Sequence, residues 1–160
     1  MESPSRHNAV GAKGGNSFTR RWVAELIHSG ERADDAEFAS RLGDLADVVL
    51  DAARSESSSL GRVELVGVEL AAMRFLTAEL TRAIAMIGTE LPKLFGRDDR
   101  VLGRVAAIQV ALITGFNGAM RERIRDEKEL IKSTALQARR GAQAALRASE
   151  ARFRAVFHQA

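Results

Sequence analysis

Between Asp98 and Ala151 the chain contains no proline, and its glycines there are Gly103, Gly115, Gly118 and Gly141. Nothing in that stretch compels a helix begun at Asp98 to stop for about 50 residues. At about 1.5 Å per residue such a helix runs on the order of 75 Å, far more than the core of one small domain can cover. The first part of it is expected to complete a compact core and the second part to continue past that core.

The rest of the chain reads as helical too. Hydrophobic residues make up 46% and are dominated by Ala, Leu and Val, whereas aromatics are 5% and Tyr is absent. A β-sandwich would want more β-branched and aromatic residues and more turn signals. Residues 1–16 are polar and rich in small residues, with Pro4, Gly11, Gly14 and Gly15, and are expected to be a flexible lead, structure beginning near Ser17. Phe18, Trp22, Val23, Leu26 and Ile27 then form one helical stripe that ends at Ser29 and Gly30.

A second helix is expected from an Asp34 or Asp35 cap, carrying Phe38, Leu42, Leu45, Val48, Val49 and Ala52 inward and stopping in the serines from Ser55 to Ser59. A third covers Leu60 to Phe75 with Val63, Val66, Leu70 and Met73 inward. Thr77 is the expected cap of a fourth, with Leu80, Ile84, Ile87 and Leu91, closed by Pro92 and Gly96. Joined by short loops, these helices and Val101, Val105, Ile108, Leu112, Phe116 and Met120 of the fifth predict an all-α antiparallel bundle over 17–121, with a haem-free globin-like arrangement as the alternative.

Beyond Arg121 the composition shifts to charges and alanines. A seam in steps of four and three runs through Ile124, Lys128, Ile131, Ala135, Ala138, Ala142, Ala145 and Ser149, the pattern of a two-stranded coiled coil. Residues 122–148 are therefore expected to be a projecting linker helix on which two copies pair, with Ile124, Ile131, Ala135, Ala138, Ala142 and Ala145 as the dimer seam.

Charge and chemistry narrow the function. The chain carries 24 basic and 21 acidic residues, net +3, interleaved rather than blocked. The basic run Arg121, Arg123, Arg125, Lys128, Lys132, Arg139 and Arg140 is offset by Glu122, Asp126, Glu127 and Glu129, so neither nucleic acid nor anionic lipid is an expected partner. With no cysteine there is neither a disulfide framework nor a thiolate metal site. There is no run of about 20 uninterrupted apolar residues and no signal-peptide pattern, so a cytoplasmic, membrane-free protein is expected.

His7, His28 and His158 lie far apart, and between Ser29 and Phe157 there is no histidine to serve as the proximal ligand of a haem globin. Asp34/Asp35, Asp98/Asp99 and Asp126/Glu127 read as helix caps or solvated faces, and Gly11, Gly14 and Gly15 do not form a phosphate loop. Phe18 and Trp22 read as core rather than as an aromatic cage. No residue set joins a nucleophile to a base, so no catalytic site, metal or cofactor is expected, and no small ligand can be named.

The C-terminal stretch Leu146-Arg147-Ala148-Ser149-Glu150-Ala151-Arg152-Phe153-Arg154-Ala155-Val156-Phe157 resembles the segment through which a connecting helix enters a PAS domain in bacterial histidine kinases and cyclic-di-GMP enzymes, where the pattern is Ser-Glu-x-Arg-Phe-Arg-x-x-Phe. Thr114 to Arg140 is similar to the exit helix upstream of PAS domains in actinobacterial proteins with GGDEF and EAL domains. The resemblance implies that Ser149, Glu150, Arg152, Phe153 and Phe157, within 149–160, mark the start of a PAS domain. The region before it would then be the N-terminal helical regulatory module of a dimeric signalling protein, whether a cyclic-di-GMP cyclase or phosphodiesterase or, alternatively, a histidine kinase or a haem-free globin-like stress sensor. Neither a GGDEF nor an EAL string is present, so the resemblance implies no activity for these residues themselves.

Overall fold

Two helices of this fold each start where an aspartate side chain satisfies one of the first free amides. The computed structural model describes residues 6–27, 35–55 and 59–158, with side chains from Gly14 onward. The described residues form α1 (Arg6–Ile27), α2 (Ala36–Arg54), α3 (Leu60–Ala72), α4 (Thr77–Phe95) and α5 (Asp99–His158), and no strand occurs among them. The chain divides into two units, Met1–Met120 and Arg121–Ala160.

In the first unit, the Asp35 carboxylate accepts from the Phe38 amide at 3.0 Å and starts α2, and Asp98 accepts from the Val101 amide at 2.9 Å and starts α5. Thr77 is not the cap of α4. It is the first helical residue, its carbonyl accepting from the Thr81 hydroxyl, and the Leu76 amide is satisfied instead by the Glu79 carboxylate at 2.7 Å. A leucine side chain has no acceptor, so this is half of a capping box, the acidic residue reaching back. Helix α3 ends in a Schellman turn: Arg74 has φ 64°, its amide bonds to the Ala71 carbonyl, and the Phe75 amide bonds to the Leu70 carbonyl at 3.1 Å.

The expected flexible lead is corrected over most of its length. Helix α1 is already formed at Arg6, well before Ser17, while Met1 to Ser5 lie outside the described residues. Gly14 and Gly15 weaken a helix by about 1 kcal/mol each relative to alanine. Their bare backbone, however, lets α1 approach Leu94 of α4 and the Leu50 and Arg54 side chains of α2, and Gly15 is buried. Tertiary packing overrides local propensity there.

Neighbouring helices run antiparallel. Gly14, in the first half of α1, meets Leu94 near the end of α4, and Glu25 near the end of α1 pairs with Arg82 in the first half of α4. Arg41 near the start of α2 pairs with Glu69 near the end of α3 at 2.6 Å. The core comprises Phe18, Trp22 and Leu26 of α1, Leu42, Ala46, Val49, Leu50 and Ala52 of α2, and Val63, Val66 and Leu70 of α3. Leu80, Ala83, Ile87 and Leu91 of α4 and Val105, Ile108, Leu112 and Phe116 of α5 complete it. Two polar side chains of α5 tie it to its neighbours: Arg104 donates to the Ala52 carbonyl at 2.6 Å and Gln109 to the Ile84 carbonyl at 2.9 Å.

In the second unit, residues 121–158 continue α5 without a break. Its ion pairs are local, Arg123 with Glu127 at 3.2 Å and Lys132 with Glu129 at 3.0 Å. Although α5 has no run of about 20 uninterrupted apolar residues, it contains an 18-residue window apolar enough by length and composition to cross a membrane, 28% of it buried. Core helices pass the same test, and α5 supplies core residues to the first unit.

Candidate interaction surface

A lone helix in water keeps its apolar stripe only if something covers it, so the exposure of each stripe residue is the first question. On the second unit the expected seam residues are all exposed: Ile124 at 45%, Ile131 at 68%, and Ala135, Ala138, Ala142 and Ala145 with them. Ser149, Glu150, Arg152, Phe153 and Phe157 lie on the same helix and are exposed as well, the two phenylalanines at 65% and 64%. The Phe153 and Phe157 rings sit one turn apart with centroids 4.4 Å from each other.

At about 100° per residue, Ile131, Phe153 and Ala142 fall within about 20° of Ile124, and Leu146 and Phe157 within about 60°. They share one face. Leu146, 61% exposed, lies on this face although steps of four and three pass over it to Ala145. Val156, 68% exposed, lies about 40° to the other side of Ile124 and about 80° from the midpoint of Phe153 and Phe157, at the margin of the face. Leu130 and Leu136, exposed at 67% and 48%, lie about 120° away on either side and do not belong to the stripe. The edges of the stripe carry both signs of charge: Lys128, Arg139 and Lys132 lie along one side, about 40°, 60° and 80° from Ile124, and Glu127 lies on the other, about 60° away.

Two shallow hollows lined by described residues of the first unit are the candidates for a small-molecule site. One, of about 360 Å³, is lined by Arg21, Ala24, Glu25, Met86 and Glu90 between α1 and α4. Glu90 bridges Lys93 at 2.6 Å and Arg21 at 2.9 Å. The Lys93 hydrogen bond, aided by the positive charge of both cations and opposed by partial burial, holds its carboxyl below the usual carboxylate value. The other, of about 410 Å³, is lined by Phe38, Arg41, Ala72, Met73 and Arg74 at the end of α3. Phe38 stacks on Phe75 there, with centroids 5.8 Å apart. In neither hollow does a base adjoin a nucleophile, and no group of three metal-ligating side chains occurs among the described residues.

Trp22 is fully buried, with its indole N–H unpartnered, and it packs within the core as expected, together with Phe18. His158 is exposed at the end of α5, while His28 and the His7 side chain lie outside the described residues. Comparison with family models, with curated proteins and with solved structures finds no match for the chain.

Proposed function

We propose that this chain is a non-catalytic, N-terminal sensory and dimerisation module of a bacterial signalling protein, in which the bundle is the input element and α5 the element on which two copies pair. The observation that carries the reading is the apolar stripe of the second unit: Ile124, Ile131, Leu146, Phe153 and Phe157 share a face and are 45–68% exposed. A parallel second copy covers such a stripe and brings whatever follows it in the two chains side by side. The likeness of residues 146–157 to the segment entering a PAS domain makes a PAS domain the downstream partner and a cyclic-di-GMP cyclase or phosphodiesterase the output, in the cytoplasm.

The test is sedimentation of the wild type and of Ile131→Asp. Two aspartates opposed in the seam would be desolvated like charges, so the variant is expected to be monomeric where the wild type is dimeric. The chain has one Trp and no Tyr, so its fluorescence reports the buried Trp22 and hence whether the bundle survives. A monomeric wild type, or an undiminished dimer in the variant, overturns the proposal.

A further inference from the structure

We propose that two copies pair in parallel along an eleven-residue repeat of α5, with Leu146, Phe153 and Phe157 inside the interface; this rests on the dimer reading above. The exposed stripe of the second unit runs Ile124, Ile131, Ala135, Ala142, Leu146, Phe153, Phe157, in steps of seven and four taken alternately. One row is Ile124, Ala135, Leu146 and Phe157, and the other is Ile131, Ala142 and Phe153. Eleven residues overshoot three full turns of an ideal helix by only about 20°, so the stripe stays on one face for the whole segment. A repeat of this length winds two helices straight or slightly right-handed rather than into the left-handed supercoil of a seven-residue seam.

The two patterns share Ile124, Ile131, Ala135 and Ala142, the seven-residue seam taking in Lys128 and Ala138 between them, and after Ala142 they separate. The seven-residue seam goes on to Ala145 and Ser149 and, by the same steps, to Arg152 and Val156. It would bury an arginine against its own copy while leaving Phe153 and Phe157 outside. The eleven-residue repeat places Leu146, Phe153 and Phe157 inward and leaves Arg152 at the water, so desolvation and apolar burial both favour it.

A second copy in the same direction fits this face. In register, each level meets its own copy: two bulky levels at Ile124 and Ile131, two small ones at Ala135 and Ala142 where the backbones can close up, and three bulky ones at Leu146, Phe153 and Phe157. Glu127 and Lys132 stand on opposite edges of the stripe, about 60° and 80° from Ile124, which sets Glu127 of one copy beside Lys132 of the other. Their present partners, Arg123 and Glu129, are exposed neighbours on the same helix and are exchanged at little cost.

The chain has no cysteine, so single cysteines report the seam directly. The variants Ala145→Cys, Leu146→Cys, Arg152→Cys and Phe153→Cys are made in the full chain and oxidised mildly; a disulfide between copies forms only where the Cα atoms come within about 7 Å. Leu146→Cys and Phe153→Cys are expected to cross-link severalfold faster than Ala145→Cys and Arg152→Cys. Sedimentation of Phe153→Ser and Val156→Ser repeats the contrast without chemistry, the first losing dimer and the second keeping it. Faster cross-linking at 145 and 152 in an intact dimer overturns the eleven-residue pairing and leaves the dimer reading standing. A dimer in which none of the four cross-links overturns the parallel seam, and an unsubstituted chain that sediments as a monomer, with or without affinity for lipid vesicles, overturns both.

Discussion

Gly115 of α5 lies against the main-chain carbonyl of Glu64 in α3 so closely that a β-carbon at 115 would overlap it. Gly67 of α3 stands in the same relation to the Leu112 carbonyl and the Phe116 amide of α5. The two helices therefore cross backbone to backbone, and both neighbours are main-chain atoms that cannot swing away. Alanine is the better helix former by about 1 kcal/mol, yet overpacking of this kind costs about 1–3 kcal/mol and the helices would have to separate. Gly115→Ala is expected to destabilise the first unit. Gly118→Ala, three residues on in the same helix with nothing within 4 Å of the added carbon, is expected to stabilise it by roughly 0.5–1 kcal/mol. Urea melts followed by Trp22 fluorescence check the opposite signs.

The turn after α3 supports a second prediction. Arg74 occupies the left-handed position of the Schellman turn at φ 64°, where glycine carries no β-carbon penalty. Its side chain is exposed and takes no part in the core. Arg74→Gly is expected to raise stability by up to about 1 kcal/mol, read as a higher urea midpoint at unchanged slope, whereas Arg74→Val, β-branched at the same φ, lowers it.

Glu90 gives a pH dependence. Its folded carboxyl is held below the ordinary value, so the stabilisation is present above the unfolded-state value near 4.5 and is lost as pH falls through the folded one. The pairs with Arg21 and Lys93 are solvent-screened, which limits the effect to about 1 kcal/mol. Glu90→Gln is accordingly expected to melt below the wild type at pH 7 and level with it at low pH. A gap of equal size at both extremes would show that the carboxylate charge is not what matters.

The helical class was legible because apolar spacing and the absence of proline speak to one helix at a time. Phe18, Trp22 and Leu26, or Ile87 and Leu91, need no knowledge of a neighbour to be placed inward. What depends on a neighbour is not legible: in the sequence Gly14 and Gly15 read as part of a flexible lead, whereas in the fold their bare backbone faces Leu94 and Leu50. Gly67 and Gly115 gave no sign in the sequence of the backbone each would meet. Thr77 reads as a cap because its hydroxyl could take a first-turn amide, but the cap position falls one residue earlier, at Leu76, whose own amide is held by Glu79. Leu146 is hidden for a different reason: Ile124, Ile131, Ala135 and Ala142 fit both steps of four and three and steps of seven and four, and the two periods take different residues after Ala142.

The last prediction isolates the second unit. Residues 121–158 have no core of their own, and an isolated helix in water is marginal unless a packed face supports it. Their local pairs, Arg123 with Glu127 and Lys132 with Glu129, contribute only about 0.2–0.5 kcal/mol each. Helicity of a peptide spanning 121–160 should therefore depend on association and rise with concentration as two strands cover Ile124, Ile131, Leu146, Phe153 and Phe157. The same peptide with Ile131→Asp should stay weakly helical at every concentration, since the pairing that supplies the stability is lost while the local pairs remain. Circular dichroism across a dilution series separates the two, and helicity that is high and independent of concentration in both would show that this segment is held by its own turns and not by a second copy.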